Sequence, residues 1–292
     1  MEHCFLLINI FAQIDIILKL KDYFLTQEEF ELEENSFGIL ETKPQPKVEN
    51  LSNYYQSENY ISHTDSKKSI FDFAYQFAKK INLKNKKVVL QKYKASGKLL
   101  DYGCGTGDFL NYIKDKFEAT GIEPNEKAAN FARKKSSLKI TNQTDLSQFK
   151  NETFDIITLW HVLEHIPNLK EISIELKRIL KEEGILIIAV PNHKSYDANY
   201  YQNFWAAYDV PRHLWHFSKT AMKNWWNQFE MQIIEIAPMK LDAFYVSILS
   251  EQYRNKNIFS LIKGVFRGIL SNQKAKKSGE YSSLIYILKK KQ

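Results

Sequence analysis

Three glycines at alternate positions, Gly103, Gly105 and Gly107, stand between an apolar pair, Leu99 and Leu100, that leads through Asp101 and Tyr102, and a helical pattern over residues 108–117. Backbone without a Cβ takes positive φ readily and lets a ligand come within van der Waals range. Glu123 follows 20 residues after Gly103, at the end of a second short strand over 119–122. A carboxylate in that place accepts hydrogen bonds from two ribose hydroxyls. Together these residues describe a pocket for an adenosine-bearing cofactor. A dinucleotide fits poorly, because its Gly-x-Gly-x-x-Gly turn seats a pyrophosphate on the helix N-terminus. Here the third glycine comes one position early and Asp108 occupies the first helical turn, where it repels phosphate. A cationic sulfonium carried on an amino acid tolerates that acid.

A second group of reactive types follows an apolar run over 154–159. Trp160, His161, Glu164 and His165 fall at its C-terminal end, where open α/β sheets hold their ligands. His161-Val162-Leu163-Glu164-His165 also spells the H-x-x-E-H zinc signature of inverzincin peptidases. That site needs a long helix carrying both histidines, whereas here the motif starts straight after a strand and Pro167 closes any helix. The expectation is no metal, with His161 facing substrate as the leading base and His165 hydrogen-bonded and structural. Further on, residues 192–219 form a polar and aromatic passage without periodicity, which reads as a binding loop. His193, Arg212, His213 and His216 are its substrate-side candidates, and His213 stands behind His161 as a second base.

The elements that must position these groups alternate in type. Strands are expected over 99–102, 119–122, 138–142, 154–159, 185–191 and 231–238, and a last strand over 282–290 is expected antiparallel beside the sixth. Between them lie helices over 108–117, 124–135, 168–180 and 218–229. Pro124 is expected to open the second of these helices, where its missing N–H costs nothing. A further helix is expected around 66–94, with Ile70, Phe73, Phe77 and Ile81 on one face.

Taken together, LLDYGCGTGDFL followed by GIEP resembles the first two motifs of the class I S-adenosylmethionine-dependent methyltransferases, of the type 11 and type 23 kind. The resemblance implies a Rossmann-like seven-stranded sheet, parallel with one antiparallel strand and flanked by helices. It implies S-adenosyl-L-methionine as cofactor, held by Asp101, Gly103, Gly105, Gly107, Glu123 and Trp160, with Gln143 or Thr144 at the adenine edge. It makes the helix around 66–94 a cap on the cofactor pocket, with Tyr54, Tyr55 and Tyr60 as candidate contributors, and the segment YDVPRHLWHF is similar to a family signature. Relatives of this kind often carry a small zinc ribbon with two Cys-x-x-Cys pairs at the N-terminus. Here Cys4 is followed by Leu7, and Glu34 and Phe37 fill the second pair, so four soft ligands are lacking. Residues 1–60 are therefore expected as a degenerate, metal-free and frayed appendage to a methyltransferase domain over 61–292.

Missing motifs narrow the acceptor. No Asn/Asp-Pro-Pro-Tyr/Phe follows the fourth strand and no second cysteine stands near the pocket motifs, which disfavours adenine amino groups and cysteine-adduct chemistry. A small-molecule, saccharide or lipid-linked acceptor methylated on oxygen or carbon is the expectation; an RNA methyltransferase and a non-catalytic cofactor-binding protein are the alternatives. With two cysteines far apart among 292 residues, no disulfide framework is implied, and a cytoplasmic enzyme fits. The net charge of +7 is concentrated at the C-terminus, where residues 264–292 hold seven basic residues against Glu280. A helical insertion over 239–281 carries Ile258, Leu261, Ile262, Val265, Phe266, Ile269 and Leu270 at helical spacing. Packing on the core is its default reading; a lid over an apolar acceptor, or a helix on an anionic membrane surface, is the sharper one.

Overall fold

The computed structural model describes residues 18–55, 70–135 and 138–291. Expectations placed on Cys4 and on Tyr60 lie outside them, as do the side chains of Ile70, Phe73 and Phe77.

The N-terminal part begins with β1 (Leu18–Lys21), β2 (Glu29–Glu34) and β3 (Leu40–Lys43). Helix α1 (Ile70–Tyr93) leads into β4 (Gly97–Tyr102), α2 (Asp108–Ile113), β5 (Phe117–Ile122), α3 (Glu126–Lys135), β6 (Lys139–Thr141) and β7 (Phe154–Trp160). Then come α4 (Leu169–Ile179), β8 (Leu180–Pro191), α5 (Tyr196–Tyr201), β9 (Trp215–His216), α6 (Lys219–Asn227), β10 (Met231–Pro238), α7 (Asp242–Arg254), α8 (Ser260–Ser278) and β11 (Ser283–Lys290).

The main sheet has seven strands in the order β10-β11-β8-β7-β4-β5-β6. Strand β11 runs antiparallel to both neighbours, with Leu284 opposite Val190 and Tyr286 opposite Ile236. The other inner pairs are parallel. Both faces are covered, and that explains the unbroken apolar runs. Successive residues point to opposite faces: Leu100, Ile157, Leu186 and Tyr286 pack with Leu169, Ile172 and Leu176 of α4 and with Trp225 and Trp226 of α6. On the other face Leu99, Ile156, Ile187 and Ile285 pack with Leu90 of α1 and with Phe109 and Ile113 of α2. Helix α3 opens two residues later than expected, at Glu126, where Asn125 Oδ1 accepts from the Ala128 amide at 3.1 Å.

Three expectations are corrected. The described part of the N-terminal appendage is a packed sheet, not a frayed segment: β1, β2 and β3 form an antiparallel meander that pairs with β9, Leu40 opposite His216. Its Leu20, Phe30 and Leu32 share a core with Tyr201, Trp205 and Tyr208. That core also corrects the aromatic passage, which is short helices and 3-10 turns with buried rings; apolar rings with no period simply face a second small sheet. In the insertion, α8 turns its small residues inward and leaves Leu261, Ile262, Val265, Phe266 and Ile269 exposed, contrary to the default of core packing.

Candidate functional site

At the C-terminal end of β4 the chain bends through Gly103, at φ +76°, where an added Cβ would overlap Val162 Cγ2. The amides of Gly103 and Cys104 both donate to Ile122 O, at 2.8 and 2.9 Å, tying the bend to β5. Gly105, at φ +54°, has open space where a Cβ would be. Its amide donates to Glu123 Oε2 at 2.8 Å, while Asn125 N donates to Oε1 at 2.9 Å. The acid predicted to grip a ribose is thus fixed by the glycine turn itself. Gly107, at φ +72°, precedes α2. Burial raises the Glu123 carboxyl above the ordinary carboxylate value.

Asp101 is buried, accepts from Thr158 Oγ1 at 2.5 Å, and burial pushes its carboxyl up to about 6. Above it, Phe109 meets Trp160 edge-on with centroids 5.5 Å apart. Lys86 of α1 holds its ammonium 4.7 Å from the Trp160 ring centroid and 5.8 Å from that of Phe109, and burial lowers its pKa. Lys79 of the same helix pairs with Asp108 at 2.7 Å. Helix α1 therefore lies across the strand ends, as a cap would. Lys86 shows that the faces of Phe109 and Trp160 beside Asp101 suit a cationic group, Trp160 Nε1 is buried without a hydrogen-bond partner, and the bare turn at Gly105 beside Glu123 is open. These residues fit S-adenosylmethionine, a cation at one end and a ribose at the other. Gln143 and Thr144 are exposed just beyond β6; Gln143 N donates to Thr141 Oγ1 at 3.1 Å and Thr144 O accepts from Tyr102 Oη at 3.4 Å.

Beyond Trp160 the backbone enters the left-handed region at His161, φ +57°, a conformation that costs a non-glycine residue of order 1 kcal/mol and concentrates at functional sites. His161 Nε2 stands 2.9 Å from Asp242 Oδ2 and Nδ1 stands 3.4 Å from Glu164 Oε1. Burial works against the imidazolium, but the two carboxylates outweigh it and raise the pKa to about 10. Glu164 is fully buried, and neither oxygen makes a hydrogen bond; its contact with His161 is an ion pair without hydrogen-bond geometry.

His165 and His213 show which nitrogen carries the proton. Nδ1 of His165 lies 2.9 Å from Arg212 O, and Nδ1 of His213 lies 2.9 Å from Ala207 O. A carbonyl only accepts, so both Nδ1 atoms donate. Tyr55 Oη also lies 3.0 Å from His165 Nδ1. Burial pushes His165 down to about 4, which keeps it neutral. Glu164, His165 and His213 each bring one ligand-type atom within 4.8 Å of the others. Residues 163–165 are a 3-10 turn, not the long helix an inverzincin needs, and His161 already balances the Glu164 charge.

The remaining loop candidates divide. Arg212 is buried and pairs with Asp22 at 2.8 Å and Asp209 at 2.7 Å, clamping β1 to the aromatic passage. His216 Nε2 lies 3.0 Å from Thr42 Oγ1, which spends its own proton on His213 O at 2.7 Å; His216 therefore donates and is a packing residue. His193 is buried, its Nε2 has no hydrogen bond, and burial lowers it to about 4. Only His213 joins the Glu164 group. Two residues escaped the sequence reading, Lys86 and Asp242. Each is a charge on an otherwise ordinary helix, and only the fold brings them to Trp160 and His161.

The methyltransferase-domain family matches residues 62–236. The chain is 28% identical over 201 residues to an uncharacterised protein of Methanocaldococcus jannaschii, covering 65% of this chain and 88% of that protein. It is 27% identical to a demethylmenaquinone methyltransferase of Thermotoga maritima, covering 59% of this chain and 78% of the relative. Among solved structures, a cyclopropane synthase of Mycobacterium tuberculosis aligns over 84% of this chain and 99% of that one, at 14% identity and a TM-score of 0.53. With several other curated relatives the match spans about half of their length or less, 55%, 32% and 54% in three of them.

Proposed function

This chain belongs to the methyltransferase-domain family, whose class I members use S-adenosylmethionine, and from that premise we propose that it methylates oxygen or carbon of a small-molecule, saccharide or lipid-like acceptor. The observation that carries the acceptor reading is the group of proton-handling side chains, His161, Glu164, His213 and Asp242, next to Trp160 at the end of β7. An acceptor hydroxyl or acidic carbon must lose a proton as it is methylated, and a placed histidine contributes about 10²–10⁴-fold to such a step. We assign the methyltransferase domain to 61–292, with 239–281 as its helical insertion and 1–60 ahead of it.

The donor supplies an already activated methyl group. Glu123 takes the ribose hydroxyls, the turn at Gly103, Gly105 and Gly107 lets the main chain approach, and Gln143 or Thr144 meets the adenine edge. Asp101 balances the cationic end, beside the Trp160 ring. Positioning the acceptor within about 3–3.5 Å of the methyl is most of the remaining work. His213, with Nδ1–H fixed on Ala207 O, offers Nε2 as base; His161, held as a cation by Asp242, orients the acceptor and becomes a base only when that pairing is released. The demethylmenaquinone relative and a ubiquinone biosynthesis O-methyltransferase of Actinobacillus pleuropneumoniae, 35% identical over 107 residues, support an apolar, ring-bearing acceptor.

The test is to incubate the protein with methyl-labelled S-adenosylmethionine and, separately, cell lipid extract, small metabolites and total RNA. Label in the lipid or metabolite pool is expected. Label in RNA alone, or none anywhere while the cofactor still binds, overturns the reading.

A further inference from the structure

Helix α8 is amphipathic with its faces exchanged. Toward α7 it presents Ser260, Gly264, Gly268, Ser271 and Ala275, all buried. The two backbones run so close that a Cβ on Gly264 would stand 2.5 Å from Ile248 Cα. On the opposite side Ile262, Phe266 and Ile269 are 66%, 56% and 41% exposed, and just ahead of the helix Ile258 and Phe259 are 86% and 56% exposed. A helix packed on a soluble core shows the reverse pattern, and an apolar stripe of this kind marks a contact surface. The hairpin is firmly seated, since Ser271 Oγ donates to Asp197 Oδ1 at 2.7 Å and Asn272 Nδ2 to Lys240 O at 2.9 Å.

Charge says what covers the stripe. Residues 254–278 carry Arg254, Lys256, Lys263, Arg267, Lys274, Lys276 and Lys277 and no acid. Lys276 and Lys277 follow Ile269 and Phe266 by seven and eleven residues, which at 3.6 residues per turn continues the same line. A second copy docked on the stripe would bring two segments with seven basic residues each and no acid face to face, and like charges across an interface repel. An anionic lipid surface takes both halves of the pattern, apolar side chains into the acyl boundary and lysines at the phosphates. Among the described residues no helix is long and apolar enough to cross a membrane.

We propose that the outer face of α8 docks the protein on an anionic lipid bilayer, through Phe259, Ile262, Phe266 and Ile269 with Lys276 and Lys277 at the headgroups. The docked hairpin ends at the site, because α7 begins at Asp242, the partner of His161. The inference is independent of the acceptor's identity, and its test reads binding alone.

The experiment is flotation of the full chain with vesicles of phosphatidylcholine containing phosphatidylglycerol, against phosphatidylcholine alone, at low and high salt. Preferential, salt-sensitive binding to the anionic vesicles is expected. Phe266→Glu is expected to lower partitioning by at least about tenfold, and Lys276→Gln with Lys277→Gln by about fivefold per lysine. S-adenosylhomocysteine titration of each variant, expected to match wild type, shows that the fold is intact. Equal binding to both vesicle types, no binding, or binding untouched by Phe266→Glu overturns the proposal. So does light scattering that finds a dimer which Phe266→Glu converts to monomer, since the stripe is then covered by a second copy.

Discussion

Replacing Glu123 by Gln tests the cofactor site at its most constrained point. The carboxylate accepts from Gly105 N and Asn125 N, one on each oxygen, and its remaining lone pairs are what two ribose hydroxyls need. A carboxamide keeps one acceptor and turns an NH₂ toward an amide that can only donate. Hydrogen bonds to a charged acceptor are worth about 1.5–3 kcal/mol, against about 1 kcal/mol for neutral ones. Losing the charge from two such bonds, and one acceptor outright, is expected to cost about 2–4 kcal/mol of binding, or roughly 30- to 1,000-fold in Kd. Isothermal titration with S-adenosylhomocysteine reads this directly, and thermal unfolding shows what share belongs to the turn. Glu123→Ala removes the acceptor without the donor conflict, so it is expected to bind as poorly while unfolding less easily than the Gln variant. A Glu123→Gln protein that stays folded and binds within about threefold of wild type refutes a ribose-gripping carboxylate.

Three further outcomes are expected. Asp101 titrates at about 6 instead of 3.8 because it is buried, so cofactor affinity is expected to fall as pH drops through about 6, and Asp101→Asn is expected to flatten that profile. The sign for stability is opposite: the folded state holds this proton more tightly than the unfolded one, so its contribution is full below 3.8 and is lost as pH rises through about 6. Asp242→Asn is expected to bring His161 down from about 10 toward the ordinary imidazole value, seen by NMR titration; in wild type this raised pKa stabilises fully below 6.5 and the stabilisation is lost as pH rises through about 10. Arg212→Met strands the buried Asp22 carboxylate and is expected to cost about 3–5 kcal/mol in chemical denaturation, without a change in the pH profile of turnover; a neutral effect removes the clamp between β1 and the aromatic passage.

The glycine turn, Glu123 and the buried strands were legible in the sequence because each is local. A bend without side chains, an acid at a strand end and an apolar run on a sheet covered on both faces are set by neighbours along the chain, whereas the antiparallel last strand was implied by the family's fold and the strand order belongs to the sheet as a whole. His165 was legible as a hydrogen-bonded residue for the same reason, one turn past a strand end. Arg212 and His216 looked like substrate contacts because composition shows polarity and not partners; Asp22 and Thr42, some 190 and 174 positions away, decide their use. Likewise the stripe on α8 has a helical period whichever way it faces, and only Gly264 against Ile248 turned it outward. What the amino-acid order determined, then, is every feature that one strand, turn or helix can hold alone. Which charges meet, Lys86 over Trp160 and Asp242 on His161, was settled only by tertiary packing, because an ionic contact depends on distance through space and leaves no period or motif in the chain.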